Sequence, residues 1–298
     1  MKIRANSIEI EVQDSAEREP AHATRPAVLL VMGLGMQLTA WPPEMLAALE
    51  DAGFRVVCFD NRDVGLSSAL DALGKPNLLW ASLKYKLGMV PAAPYSLEDM
   101  AADALGVLDG LQIAQAHVVG VSMGGMIAQR IALAAPKRVL SLTSIMSTSG
   151  ARGLPQATPQ VMQAMLSRPG GSSVEAGVAH SVRLFQTIGS PTYPTPEAEL
   201  RARVETSLRR SFRPAGILRQ MMAIVADVGR AALLGRISAP TLVIHGKADP
   251  LVPFACGEDT ARRIPGARLV AIEGMGHDLP PEPVRQILAA LIPHLNAS

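Results

Sequence analysis

The feature that most restricts the fold is a repeating unit: a short apolar run, a turn containing glycine, then a stretch with helical spacing. Residues 27–32, Ala27-Val28-Leu29-Leu30-Val31-Met32, contain no polar side chain and stop at Gly33-Leu34-Gly35. An unbroken run of this kind suits a strand covered on both faces of a parallel sheet, because a half-exposed strand would alternate. Helical spacing follows over 43–52 and ends at Gly53, and the next apolar run, 54–59, halts at Asp60-Asn61-Arg62-Asp63. The unit recurs as a helix over 97–110, a strand over 117–121, a helix over 124–134 and a strand over 139–144. Near the C-terminus it returns as a strand over 241–245, a helix over 254–264, a strand over 269–272 and a helix over 283–295. This alternation predicts an α/β class with a mainly parallel, doubly wound sheet.

The rhythm breaks between residues 147 and 229, where no buried strand is legible. Helix starts recur there instead at Thr158-Pro159, Thr195-Pro196 and Pro214, with proline in the first turn. The expected organisation is one core domain, 1–146 plus 230–298, with a helical cap inserted over 147–229. A second irregular stretch, 67–94, is apolar for a loop (Leu78, Leu79, Trp80, Tyr85, Leu87, Met89) and is expected to pack against the cap. At the N-terminus, Ile8-Glu9-Ile10-Glu11-Val12 alternates and reads as a strand, with no apolar leader before it. No secretory signal and no membrane span is therefore expected, and the location is taken as cytoplasmic. The stretches 26–43 and 110–129 lack charges but are broken by Gly, Pro or Gln.

Composition removes several functions. A chain of 298 residues, 48% hydrophobic, buries a full core without disulfide or metal staples. A formal charge of +2 and 3% aromatic residues provide neither a field for phosphate backbones nor a base-stacking platform, so nucleic acid is excluded as a partner. Cys58 and Cys256 belong to no metal-ligand spacing and are expected to be buried free thiols. No HExxH, Cys/His cluster or P-loop occurs, so neither metal nor cofactor is expected.

The chemistry concentrates at Gly120-Val121-Ser122-Met123-Gly124, a G-x-S-x-G pattern between a strand and a helix. In that context a tight turn presents the serine Oγ at the carboxyl edge of the sheet, and the flanking glycines remove Cβ atoms that would collide. A serine hydroxyl needs a base. Of the six histidines, His277 is best placed, at the end of the strand over 269–272 and within Gly274-Met275-Gly276-His277-Asp278. His245 also ends a strand, but it precedes Gly246 and is expected to support the following loop. His22, His117, His180 and His294 are expected to be surface or structural. The imidazole needs an acid to fix its tautomer, and Asp249, just past the strand over 241–245, is the candidate; Asp227 and Glu273 are weaker ones. Gly33-Leu34-Gly35 resembles the start of a dinucleotide fingerprint, but Leu38 stands where the third glycine would be.

Taken together, Val31-Met32-Gly33-Leu34-Gly35, Trp41-Pro42, the segment from Phe59 to Ser67, the segment from His117 to Gly125, Pro240-Thr241-Leu242-Val243-Ile244 and Gly274-Met275-Gly276-His277 resemble the α/β-hydrolase superfamily. More narrowly, they resemble the bacterial carboxylesterase group that includes aclacinomycin methylesterase. The likeness spans about 210 residues of the sheet domain and is weaker in the cap. It implies an α/β-hydrolase fold, with the triad in the order Ser122, Asp249, His277. It also implies an oxyanion hole from the N–H groups of Met123 and Leu34. Many relatives have His-Gly where this chain has Met32-Gly33. The segment Asp60-Asn61-Arg62-Asp63 reads as a charged clamp on loops beneath the site.

The implied activity is that of a serine carboxylesterase acting through an acyl-Ser122 intermediate on a small-molecule ester. Small to medium aliphatic, methyl or aryl esters come first, with polyesters in range. A lactonase, C–C hydrolase, perhydrolase or acyltransferase on the same residues stays open. So does a low-turnover small-molecule receptor, and a homodimer is not excluded. Serine disfavours the dehalogenases and epoxide hydrolases of this fold, which use a carboxylate there. Met32, Met36, Met123, Met126 and Met275 flank the motifs and suit either an adaptable pocket or the core. Arg201, Arg203, Arg209, Arg210 and Arg213 suit either a solvated helix face or the attraction of anionic substrates.

Overall fold

The computed structural model describes residues 1–77, 80, 84, 89–167, 170, 171 and 173–298. Eight strands form one sheet: β1 (Lys2–Ala5), β2 (Ile8–Asp14), β3 (Ala27–Val31), β4 (Arg55–Phe59), β5 (Ala116–Val121), β6 (Val139–Ile145), β7 (Thr241–Gly246) and β8 (Arg268–Ile272). Their spatial order is β1-β2-β4-β3-β5-β6-β7-β8, parallel from β4 to β8 and antiparallel at the β1 and β2 edge. The expected α/β-hydrolase architecture, a mainly parallel sheet wound on both faces, is what the chain adopts.

The apolar runs divide their side chains by parity. In β3, Ala27, Leu29 and Val31 enter one core while Val28 and Leu30 enter the other, and all five are buried. The same split occurs in β4, with Val57 and Phe59 against Val56 and Cys58. The first core is covered by α2 (Leu97–Gly110) and α3 (Met123–Ala134), the second by α1 (Pro43–Asp51) and α9 (Pro281–Asn296). Helix α2 starts at a capping box, in which Ser96 Oγ accepts the Asp99 N–H and the Asp99 carboxylate accepts the Ser96 N–H. Helix α8 (Phe254–Arg263) sits between β7 and β8 in the chain. Both cysteines are free and buried, and burial, followed by the charge of Asp60, pushes the Cys58 thiol up to about 12.

Among the described residues, four helices of eight residues or more lie between β6 and β7, α4 (Pro159–Leu166), α5 (Val174–Ile188), α6 (Glu197–Arg210) and α7 (Pro214–Ala226), followed by a single helical turn at Arg230–Leu233. No strand is found between Ile145 and Thr241 among the described residues. The helical block has a small core of its own, Val178, Val182 and Val204, with Phe185, Leu200 and Leu208 packed on it. In the irregular stretch, Leu78, Leu79, Tyr85 and Leu87 lie outside the described residues, while Trp80 and Met89 are exposed.

One element escapes the sequence reading. Residues 2–14 form a hairpin, in which Asn6 (φ 46°) and Ser7 (φ 68°) both take the left-handed conformation that a two-residue turn of this hand demands. No helix among the described residues is long and apolar enough to cross a membrane.

His117 stands in β5 with its ring against Phe54 and its Nδ1 2.8 Å from Ser141 Oγ. Burial, with His294 nearby adding to it, pushes His117 down from 6.5 to about 4. Since the unfolded chain takes the proton first, the stabilisation is complete above pH 6.5 and is lost as pH falls toward 4. The expected loss is at most about 3 kcal/mol. Urea unfolding from pH 7.5 to 4 checks this: the parent declines across the window, and His117→Asn declines less steeply whatever its own stability.

Candidate active site

The turn joining β5 to α3 places Ser122 at φ 57°, ψ −121°, a conformation rare for a residue with a Cβ. Close backbone packing imposes it. A Cβ on Gly120 would lie 2.1 Å from Gly124 O, and one on Gly124 would lie 2.0 Å from Val31 O. The first turn of α3 thus rests on the last carbonyl of β3, which only glycine allows. The turn is pinned further by Ser122 N–H donating to Ile145 O at 2.9 Å and by Ser147 Oγ donating to Ser122 O at 2.7 Å.

His277 comes from the loop after β8 and directs Nε2 at Ser122 Oγ, 3.0 Å away. Its Nδ1 lies 2.7 Å from Asp249 Oδ2. The three residues singled out from the sequence therefore form one hydrogen-bonded chain, although 155 positions separate the first from the last. The histidine loop is held from the helical block: His277 N–H donates to Ile188 O at 2.7 Å, and Gly276 N–H donates to Ser190 Oγ at 2.9 Å.

Asp249 sits in the turn after β7, where Oδ1 accepts the N–H groups of Leu251 (2.9 Å) and Val252 (2.8 Å). Its side chain is fully buried. Burial alone would raise its pKa, but attraction to His277 and contacts with His245 and His277 outweigh it and hold the carboxyl well below the usual range. Asp249 is therefore an anion throughout the neutral range. His245, as expected, serves its own loop: Nε2 lies 2.7 Å from Val252 O and the ring 3.6 Å from Asp249.

The loop after β3 borders Ser122. A Cβ on Gly33 would lie 3.2 Å from Ser122 Cβ and 3.7 Å from Ser122 Oγ. Among the described residues neither the Leu34 nor the Met123 N–H has a hydrogen-bond acceptor. For Met123 this follows from its place as the first residue of α3.

The alpha/beta hydrolase fold family matches residues 26–283. The chain belongs to the α/β-hydrolase family. Rhodomycin D methylesterase of Streptomyces peucetius is 32% identical over 307 residues, covering 94% of this chain and 93% of its own. The 3-oxoadipate enol-lactonase 2 of Acinetobacter baylyi is 28% identical over 251 residues, with 84% of this chain and 82% of its own covered. Among solved structures, a meta-cleavage product hydrolase from Pseudomonas fluorescens IP01 superposes with a TM-score of 0.75 at 19% identity, covering 100% of this chain and 97% of that one. At that identity the likeness speaks for the fold alone.

Within this hydrolase the remaining sequence candidates have other places. Asp227 pairs with Arg130 and, at 2.6 Å, with Arg230, and Glu273 pairs with Lys247 at the surface. Met32, Met123, Met126 and Met275 are buried in the two cores and Met36 packs against one of them. The arginine-rich segment divides. Arg201, Arg203 and Arg209 form exposed pairs with Glu175, Glu199 and Glu205. Arg210 and Arg213 instead reach down to the core domain: Arg210 Nη1 donates to Asp60 Oδ2 at 2.8 Å, and Arg213 Nη1 to Ser67 O at 2.5 Å.

Sequence reasoning missed Arg219 and Gln220 on α7, both buried. Arg219 forks onto the two Asp63 oxygens at 2.8 and 2.7 Å; burial alone would raise the Asp63 pKa, but this contact together with those to the Leu70 N–H and Tyr95 lowers it. Both read from sequence as ordinary polar positions on a helix, and the only available signal was their place on an otherwise apolar segment, Ile217 to Val225.

The packing at Gly124 yields a direct prediction. Gly124→Ala is expected to destabilise by about 3 kcal/mol or more, because its Cβ meets backbone. Gly177→Ala, within α5 and with only Leu208 Cδ1 at 3.7 Å, is expected to stabilise by about 0.5–1 kcal/mol. Denaturant unfolding of the two variants gives both signs in one experiment.

Proposed function

We propose that this protein is a serine carboxylesterase whose nucleophile is Ser122. The observation that carries the reading is the unbroken chain from Ser122 Oγ through His277 to Asp249, with 3.0 and 2.7 Å contacts. The protein is a hydrolase acting on ester bonds. His277 Nε2 takes the Ser122 proton as Oγ attacks the ester carbonyl carbon, and the resulting oxyanion is met by the N–H groups of Met123 and Leu34. Collapse expels the alcohol, which takes its proton from His277. A water then loses a proton to His277 and attacks the acyl carbon, releasing the acid and restoring Ser122. Asp249 keeps the proton on His277 Nδ1 and stabilises the imidazolium in both half-reactions. The chemistry calls for no metal or cofactor.

The helical block of residues 147–229 acts as a cap over the core formed by 1–146 and 230–298. The substrate class is a small-molecule carboxylic ester, and the 32% identity to a rhodomycin D methylesterase over most of both chains favours methyl esters. The enol-lactonase likeness supports a second reading in which the scissile ester is a lactone; the same residues would open it, with the alkoxide leaving group kept on the product.

A panel of methyl, p-nitrophenyl and lactone substrates tests this. The parent is expected to hydrolyse methyl or p-nitrophenyl esters, with Ser122→Ala slower by roughly 10³-fold or more. Equal rates in parent and variant would overturn the assignment of Ser122. Preference for lactones over every open ester would favour the second reading.

A further inference from the structure

The loop carrying Leu34 is not held by its own strand alone. Gly33 O accepts the Met36 N–H at 3.2 Å, and Gly35 has φ 68° while Leu34 keeps a negative φ, the signature of a type II turn over residues 33–36. The weak point of such a turn is its central peptide, Leu34 to Gly35, which can rotate to the type I arrangement. That rotation changes ψ of Leu34 and φ of Gly35 and re-aims the Gly35 N–H and the Leu34 carbonyl, while the Leu34 N–H, which belongs to the preceding peptide, moves as the turn as a whole resettles.

The central peptide is pinned from α7. Gly35 N–H donates to Gln220 Oε1 at 2.9 Å, and Gln220 Nε2 donates to Arg62 O at 2.8 Å. One partner is a donor and the other an acceptor, so the amide has a single orientation. Gln220 is fully buried and its helix is seated firmly. A Cβ on Gly216 would lie 2.3 Å from Asp63 O, Arg219 forks onto Asp63, and Ile217 lies against Gly35. A second clamp acts past the turn, where Gln37 Nε2 donates to Ser207 O at 2.7 Å and to Ser211 O at 2.9 Å.

We propose that Gln220 is a positioning residue for the oxyanion hole: by accepting the Gly35 N–H it holds the turn of residues 33–36 in one conformation and one place, and so keeps Leu34, with the N–H of its preceding peptide, seated beside Ser122. Gln220 touches no reacting atom. It acts through the turn, so its removal weakens binding of the tetrahedral state and spares binding of the ground-state ester. The inference rests on the reading of Ser122 as an ester nucleophile.

The test compares the parent with Gln220→Leu, Gln220→Glu and Val182→Ala, all full length and assayed well below their unfolding temperatures. Val182→Ala removes packing from the cap's own core and touches no part of the turn, so it controls for lost stability. The readouts are kcat and KM for p-nitrophenyl butyrate and the Ki of a trifluoromethyl ketone that mimics the tetrahedral state. Gln220→Leu is expected to lower kcat roughly 10- to 100-fold, to leave KM within about threefold, and to weaken the ketone by the same factor as kcat/KM. Gln220→Glu, which still offers Gly35 an acceptor, is expected to recover part of that kcat, while Val182→Ala keeps kcat within about twofold. If Gln220→Leu does not fold, Gln220→Met, which matches the length of the side chain, takes its place with the same expectation. Parent-like kcat in the Leu or Met variant would overturn the inference, as would an equal loss in Val182→Ala or unchanged ketone affinity. Failure of the Ser122 reading is separable, because Ser122→Ala would then match the parent.

Discussion

Everything in the site depends on how closely two backbones approach. The start of α3 lies on the last carbonyl of β3, with no room for a Cβ at Gly124, and the end of β5 is equally tight against the same turn at Gly120. These contacts hold Ser122 at a positive φ, a conformation that costs on the order of 1–3 kcal/mol and persists only because the surroundings over-determine it. They also bring β3 and β5 to the same height, so Gly33 arrives beside Ser122 without any dedicated side-chain contact. The strain is thus offset by the sheet itself. β5 lies between β3 and β6, the position in which a turn is least able to relax.

A second constraint joins the helical block to that frame. Asp60 and Asp63 are buried carboxylates in the loop after β4, and they are answered from above by Arg210 and Arg219. Asp60 also accepts the Leu38 N–H at 2.7 Å and the Leu66 N–H at 2.9 Å, so one carboxylate organises two loops before the arginine reaches it. Buried ion pairs of this sort give little net stability, since desolvation offsets most of the attraction. The bidentate Arg219–Asp63 pair instead fixes a register, which here is the height and rotation of α7 over the loop after β3. The segment Asp60-Asn61-Arg62-Asp63 is therefore a clamp, as its sequence suggested, and its partners are Arg210 and Arg219 of the helical block as well as loops of the core.

What was legible in the sequence follows from the kind of signal each part leaves. Strands β3 to β7 were legible because burial on both faces leaves a mainly apolar run, and the partly exposed edge strand β8 was legible as the short apolar run Leu269-Val270-Ala271-Ile272, with bounds that moved by one residue at most. Ser122 was legible because the tight turn demands glycines at fixed offsets. The hairpin at residues 2–14 was not recognised, because Asn6-Ser7 is a weaker turn signal than Asn-Gly and the strand before it has only four residues. Gln220 and Arg219 were illegible for a different reason. Their partners are 145 to 185 positions away, and several of those partners are backbone groups, which leave no trace in side-chain pattern. The arginine-rich segment allows either a solvated helix face or the attraction of anions, and only Arg201, Arg203 and Arg209 form exposed pairs, since Arg210 and Arg213 at its C-terminal end turn toward the core.

The helical block reaches the site at two separate points, and both matter to its chemistry. Ile188 O and Ser190 Oγ, at the end of α5, hold the loop that presents His277, while Gln220 and Arg219 on α7 hold the loops that carry Leu34 and Asp63. The N–H of His277 and the N–H of Gly35 are backbone donors, so these attachments survive most side-chain changes in the core and depend on the block keeping its place. The contacts on the His277 side are short: a Cβ on Gly276 would lie 2.4 Å from Gly189 O. A block anchored this way to both the His277 loop and the Leu34 loop cannot shift on one side without straining the other. On the proposed reading of Ser122, changes in the block that widen access for a larger acyl group act on the rate of acyl transfer as well as on the fit of the substrate, because one block holds both loops.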